Sequence, residues 1–579
     1  MTKIWDIRQS DVPQHRLLSE SLGVSSIIAQ LLLNRGIQDI NQAKTFLTGD
    51  IAELYDPFLM KGMLEAVERL KQAIRHKEKI FIHGDYDVDG VTAVALLVST
   101  LRNFGIEAIY YIPDRLAEGY GLSSAGVKKA INKGADIVIT VDCGISSYEE
   151  VEFLNAHNID VIITDHHEIP EALPRAYSII NPLQRDCAYP DKNLSGVSLA
   201  FKLCEALSSE FNNRDVWEKL DLVSMGTISD VVPLLGENRI LVKEGLNQLR
   251  DGSINKGLNA LIEASGLKSK TVGSFEIGYI LGPRINATGR IGSAETAVEL
   301  LLTEDDTKAM KLAKTLNDAN RERQRIESFT LKAAMEKIDA DTEFRDRKVI
   351  VLDNEDWHAG VIGIVASRIS DKFYRPTILI STKGGIGKGS GRSIERFHLF
   401  EALIECRDIL KEYGGHKYAC GFTIFEDNLD QFKETINKIA DEALSHEDLI
   451  PRISVDMEIS LSSLDYRIVE DISRLEPFGE RNPEPLFCSR NLRLVRAPKI
   501  IKGDHIKLWV TDGNKNFEAI GFGLAKNYSI SELFERYTEF DIAYTTSFNT
   551  WQGLNSIQLK IEDVRPSQMS SQLTRLKGA

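Results

Sequence analysis

Four short segments of this chain place acids and imidazoles where the backbone pattern changes. The first, "HGDYDVDG", holds His83, Asp85, Asp87 and Asp89 with a glycine at Gly84 and at Gly90. "VDCG" carries Asp142, "TDHHE" carries Asp165, His166 and His167, and "SDVVPL" carries Asp230 ahead of a proline. Crowded carboxylates cannot all ionise without a compensating cation. Mixed Asp and His ligands without thiolate suit Mn2+ or Mg2+ better than structural zinc. Aspartates can also bridge two ions at the ~3.5–4 Å separation of two-metal phosphoryl chemistry. A lone Asp at a strand end is most often a cap or turn residue. Four such segments along one sheet edge are not explained that way.

The elements that must carry these groups are legible. "KIFIHGDYD", "EAIYYIP", "ADIVITVDCG" and "DVIITDHHE" are β-branched runs alternating with amphipathic helical ones such as "VTAVALLVSTLRNFGI". That rhythm predicts a parallel sheet covered on both faces. Ligands of such sheets sit in the crevice at the carboxyl ends of the strands, where each of these runs turns polar. Residues 305–340, free of Pro and Gly, read as one long helix.

A second α/β unit follows, with "RKVIVLDN", "GVIGIVASRIS", "PTILIST" and a glycine-rich stretch, "KGGIGKGSGRS", read as a loop. After Pro451 come short strands at close spacing, which suggest a small barrel of the OB type. The expected division is a helical segment over 1–50, a catalytic α/β domain over 51–304, and a connecting helix over 305–344. A smaller α/β domain over 345–450, a β-barrel over 451–566 and a polar, disordered tail over 567–579 complete it.

Composition narrows the classes. With 43% hydrophobic and 27% charged residues the chain is ordinary globular protein. No stretch approaches the ~20 apolar residues that span a bilayer, and the N-terminus has no secretory signal. Six scattered cysteines without a CxxC argue against a zinc ribbon or disulfide framework and for a reducing cytoplasm. The net charge of -15 leans against a nucleic-acid partner, yet a metal-binding acid cluster also makes a chain acidic. In the expected barrel, Arg490, Arg493, Arg496, Lys499, Lys502 and Lys507 face only Asp504 in the sequence. Trp509, Phe517, Phe522, Tyr544, Phe548 and Trp551 follow. A basic groove with stacking rings is how OB folds hold single strands.

The ordered set "HGDYDVDG", "VDCG", "TDHHE" and "SDVVPL" resembles the DHH phosphoesterase superfamily. "LGPRINATGRIG", "WHAGVIGIVASRI", "GSGRS" and "YGGHKYACGFTI" are similar to its DHHA1-type second domain. The resemblance covers residues from about 50 to 565. It implies a DHH domain joined by the long helix to a DHHA1 domain and then the OB-like barrel. It also implies two divalent cations, Mn2+ or Mg2+. His83 and Asp87 would bind one; Asp89, His166 and Asp230 would bind the other, with Asp142 bridging. His167 would meet the scissile phosphate or support departure of the leaving group, Asp165 would support the imidazoles, and Asp85 would support rather than ligate.

The implied activity is 5′→3′ hydrolysis of single-stranded DNA to 5′-mononucleotides in recombination and repair. A single-strand-binding protein and a RecQ-type helicase are the implied partners. Arg115, Arg284 and Arg392 are expected to form a pocket for the terminal 5′-phosphate, because a guanidinium fork suits phosphate oxygens. Asn286, Arg290, Ser390 and His416 are expected to help bind the strand. "KGGIGKGSGRS" lacks the GxxxxGK[ST] spacing, so a nucleoside triphosphatase is rejected. Cleavage of pyrophosphate, short oligoribonucleotides or cyclic dinucleotides, an RNA exonuclease, and a non-catalytic DNA-binding scaffold stay open as alternatives.

Overall fold

Parity along buried strands organises the first α/β domain of the computed structural model. The structure describes residues 3–9, 12–252, 254–268, 270–341, 347–526, 533–551 and 554–567. Five strands, β1 (Ile80–Gly84), β2 (Ile109–Tyr111), β3 (Ile137–Val141), β4 (Asp160–Thr164) and β5 (Ser178–Ile180), form a parallel sheet in the order β2-β1-β3-β4-β5. Successive side chains of a strand point to opposite faces. Ile80, Ile82, Ile137, Ile139 and Ile162 therefore meet the helices Met63–His76, Val88–Asn103 and Gly196–Glu210. Phe81, Val138, Val161 and Ile163 meet Val127, Ala130, Val151 and Leu154 of Ser124–Lys133 and Tyr148–Asn155. With both faces covered, all five residues of β1 and of β3 are buried.

The helix Asp306–Ala340 follows, capped by Asp305, which accepts the Lys308 amide. Beyond it, β6 (Ile350–Asn354), β7 (Thr377–Lys383), β8 (Ile386–Arg392), β9 (Leu410–Gly415) and β10 (Ala419–Phe425) form a sheet in the order β9-β10-β8-β7-β6. The glycine-rich stretch read as a loop is mostly β8, paired antiparallel with both β7 and β10. Its glycines serve packing. A Cβ at Gly389 would lie 2.2 Å from the Phe422 ring, and one at Gly391 would meet Leu399 and Cys420. Only Gly384 and Gly385, at positive φ, make the turn into β8.

The chain divides into two compact units, Asp50–Leu449 and a second built from the segment up to Gly49 with the chain from Ile450 onward. In the second unit, five strands close into a barrel: Phe487–Leu494, Phe540–Trp551, Leu554–Pro566, Asn516–Gly521 and His505–Thr511. Arg493↔Thr511 and Leu494↔Val510 make the closing pairs. The N-terminal segment is more than a helical lead-in. Its strand Ile4–Ile7 pairs in parallel with Arg452–Val455, and the Trp5 indole donates to Asp563 at 2.7 Å. The tail from residue 568 lies outside the described residues.

Among the described residues no single helix is long and apolar enough to cross a membrane. One bent pair, Pro13–Leu22 with Ser26–Asn34, reaches that length and composition, turns by 116° and buries Ile28, Leu31 and Leu32.

Candidate metal centre

Asp142, Asp165, His166 and His167 leave the carboxyl ends of β3 and β4. Asp87 caps the helix Val88–Asn103 after β1, accepting the Asp89 and Gly90 amides through Oδ1. Asp89, in that helix's first turn, accepts the Gly196 and Val197 amides at 2.6 and 2.8 Å. Two helix N-termini thus aim positive ends at the cluster. Gly196 permits the approach: a Cβ there would lie 2.7 Å from the Asp142 side chain. Asp142 itself is left-handed, φ 61, a conformation Asp tolerates better than most residues. Asp230 ends the helix Leu220–Ser229.

Three ligand-like groups result, each with its donor atoms within 4.8 Å of one another: Asp85, Asp87 and Asp142; Asp89, His166 and Asp230; and Asp142, His166 and His167. His166 Nε2 lies 3.0 Å from Asp142 Oδ1 and 3.6 Å from Asp230 Oδ2. That proximity is not an ion pair. Burial holds the His166 imidazole neutral, its pKa pushed down to about 4. Burial, then neighbouring carboxylates, push Asp89 up to about 7 and Asp230 up to about 9, and Asp142 well above the carboxylate range.

The groups fit a divalent cation on an independent observation. Asp142 Oδ1, His166 Nε2 and Asp85 Oδ1 are buried polar atoms with no hydrogen-bond partner among the described residues. Such atoms are costly unless something else satisfies them. Oxygen and imidazole donors of this kind suit Mn2+ or Mg2+.

His83 departs from expectation. It belongs to none of the three groups; its Nε2 accepts the Ser123 amide at 3.3 Å, and its ring lies against Tyr111. The reason is parity: His83 shares the face of Phe81, beneath the helix Ser124–Lys133. Asp85, expected only to support, stands in the cluster instead. Asp165 Oδ1 accepts from His167 Nδ1 at 2.7 Å while its Oδ2 accepts the Ile145 amide, which fixes the imidazole. Burial lowers the His167 pKa, but the Asp165 bond and charge outweigh it and leave it raised. Tyr120 went unread. Its hydroxyl stands 2.8 Å from His167 Nδ1 and donates to the Asp142 carbonyl, and the flanking Gly119 and Gly121 were the available signal.

Beside the cluster is a cleft of roughly 730 Å³ lined by Arg115, Ser390, Arg392 and His416, with Tyr86 and Tyr120. Ser390 and Arg392 sit two apart on β8 and so share a face. Arg290 donates to the Gly360 carbonyl; burial, then Arg115, Arg323 and Arg392, push it down to about 9. Among the described residues, none of Arg115, Arg290 and Arg392 has a carboxylate within ion-pair distance. Close unpaired guanidinium groups attract an anion. Arg284 and Asn286 do not line the cleft, and Arg284 donates instead to Asn317 and the Ile280 carbonyl.

Chain-distant acids neutralise much of the barrel's basic run. Arg490 pairs with Glu458, Arg493 with Glu539 and Lys507 with Glu518. Arg496 stacks 3.1 Å over the Trp509 ring. Tyr544 is core, Phe522 and Phe548 are exposed, and the Trp551 side chain lies outside the described residues.

Comparison with known proteins agrees with this geometry. Residues 79–227 match the DHH family N-terminal domain, 346–442 the DHHA1 domain and 455–563 the RecJ OB domain. The single-stranded-DNA-specific exonuclease RecJ of Bacillus subtilis (strain 168) is 38% identical over 99% of this chain and 72% of its own. That of Escherichia coli (strain K12) is 33% identical over 93% of this chain and 96% of its own. The chain belongs to the RecJ family. RecJ of Thermus thermophilus in complex with Mn2+ superposes with a TM-score of 0.83 at 31% identity, covering 98% of this chain and 80% of that one. A second RecJ structure is of the Mg2+ complex.

Proposed function

We propose that this RecJ-family chain is a metal-dependent exonuclease that degrades single-stranded DNA from its 5′ end to 5′-mononucleotides. The convergence of Asp142 Oδ1, His166 Nε2 and Asp85 Oδ1, bare and buried, supports the reading most directly. Asp85, Asp87 and Asp142 would hold one cation, Mn2+ or Mg2+, and Asp89, His166 and Asp230 the other. His83 supports the wall of this site. A bound pair of such ions supplies Lewis-acid stabilisation of the phosphate oxygens and an activated water at neutral pH.

The chain's own groups do the rest. Arg115, Ser390, Arg392 and His416 hold the terminal 5′-phosphate, which sets the phosphodiester one nucleotide inward against the cluster. Arg290 adds positive potential from behind, and Arg284 and Asn286 act outside the cleft. His167, oriented by Asp165, presents its ring to the scissile phosphate and stabilises the departing 3′-oxygen. Water attacks in line, the 3′-oxygen leaves with the first nucleotide, and a new 5′-phosphate remains on the strand.

In this division of labour, residues 51–304 cleave, 345–450 together with Arg115 hold the end, 305–344 connect them, and 451–566 bind the strand without reading sequence. The compartment is the cytoplasm, in keeping with six free cysteines. By family resemblance, a single-strand-binding protein and a RecQ-type helicase supply the ends. The test is Asp142→Ala: it should still bind single-stranded DNA and no longer degrade it, whereas full activity would defeat the assignment.

A further inference from the structure

The helix Gly282–Ile291 connects two different surroundings. At its end, Arg290 adjoins the phosphate cleft. At its start, a π-helical turn, Ile277–Leu281, precedes it. Such turns recur at functional sites. Here Phe275 and Tyr279 stack with ring centroids 5.0 Å apart and planes at 30°. Both are open to water, at 62% and 74% exposure. Single exposed apolar residues are ordinary; a preformed stack of two exposed rings is a surface on which further planar groups can pile.

Its position points to the occupant. The turn packs on the end of the helix that delivers Asp230. A Cβ at Gly278 would lie 3.8 Å from Ile228, and one at Gly282 would lie 2.7 Å from Ser229 Oγ. A cation is at hand. Arg284 has no carboxylate within ion-pair distance among the described residues, whereas the nearby Arg321 and Arg323 pair with Asp318 and Glu327.

We infer that Phe275 and Tyr279 are the base-stacking platform for the strand on the 3′ side of the scissile phosphate, with Arg284 near its backbone. The inference rests on the exonuclease reading of the metal centre. Helical rise puts Tyr279 about 16 Å from Arg290. At roughly 3.4 Å or more per nucleotide, the platform is reached by the third to fifth base from the 5′ end. Stacking tolerates any base, so the platform adds grip without sequence preference, and short oligomers never reach it.

The test compares a 5′-phosphorylated dinucleotide with a dodecamer. For the Phe275→Ala/Tyr279→Ala double variant, KM for the dodecamer should rise about tenfold or more. Its kcat, and both constants on the dinucleotide, should stay as in the unaltered protein. Tyr279→Trp should keep tight dodecamer binding, with indole emission quenched by the dodecamer and not by the dinucleotide. An unchanged dodecamer KM in the double variant, an equal rise on both lengths, or no length-dependent quenching would overturn the platform alone. Failure of the unaltered protein to cleave either oligomer would overturn the exonuclease reading and the platform with it.

Discussion

His166 Nε2 faces Asp142 Oδ1 across 3.0 Å, and neither atom has a hydrogen-bond partner among the described residues. A neutral imidazole lone pair and a carboxyl oxygen repel unless a proton or a metal cation sits between the groups they belong to. Around them stand Asp85, Asp87, Asp89 and Asp230, on segments that β1, β3, β4 and the helix Leu220–Ser229 bring to one edge.

Stability should therefore depend on pH in opposite ways with and without metal. Asp89 and Asp230 have folded pKa values of about 7 and about 9, above the unfolded carboxylate value. The folded state then binds more protons, so stability is highest below the unfolded carboxylate value, about 4, and falls from there as pH rises to about 9. Bound Mn2+ replaces those protons. Calorimetry between pH 5 and 9 should show Tm falling in chelator and largely held in Mn2+.

Asp165→Asn should separate positioning from substrate binding. The imidazole of His167 loses its anchor, so kcat should fall about 10- to 100-fold, the usual cost of removing such a partner, with KM unchanged. Loss of the negative charge also lowers the His167 pKa. The alkaline limb of the kcat profile should move to lower pH.

Arg392→Ala and Arg115→Ala should act on the terminal phosphate. The loss of one charge-assisted contact, ~1.5–3 kcal/mol, is about a 10- to 100-fold rise in KM for 5′-phosphorylated strands. Strands ending in a 5′-hydroxyl should be nearly unaffected. Arg284→Ala, remote from the cleft, should not change that preference.

The sheet, its order of motifs and the acid cluster were legible because β-branched runs end abruptly in polar residues at one edge. The role of His83 was not. A strand buried on both faces has no alternation of polar and apolar residues to say which way each side chain points, so only the packed helices reveal that His83 turns away and Asp85 turns in. The same limit applies to β8. Its glycines look like a loop in sequence, yet they are there for the Phe422 ring and for Leu399 and Cys420. Nor could local reading find the pairing of Ile4–Ile7 with Arg452–Val455, or the glutamates that neutralise the barrel's arginines, since those partners are distant in the chain.

The most direct measurement follows label release from 5′-labelled and 3′-labelled single-stranded DNA and from the matched blunt duplex, in Mn2+ and in chelator. Immediate release of labelled mononucleotide from the 5′-labelled single strand alone, only with Mn2+, is the expected result. Intact DNA under every condition, or first release from the 3′ label, would contradict a 5′-end exonuclease built on this metal centre.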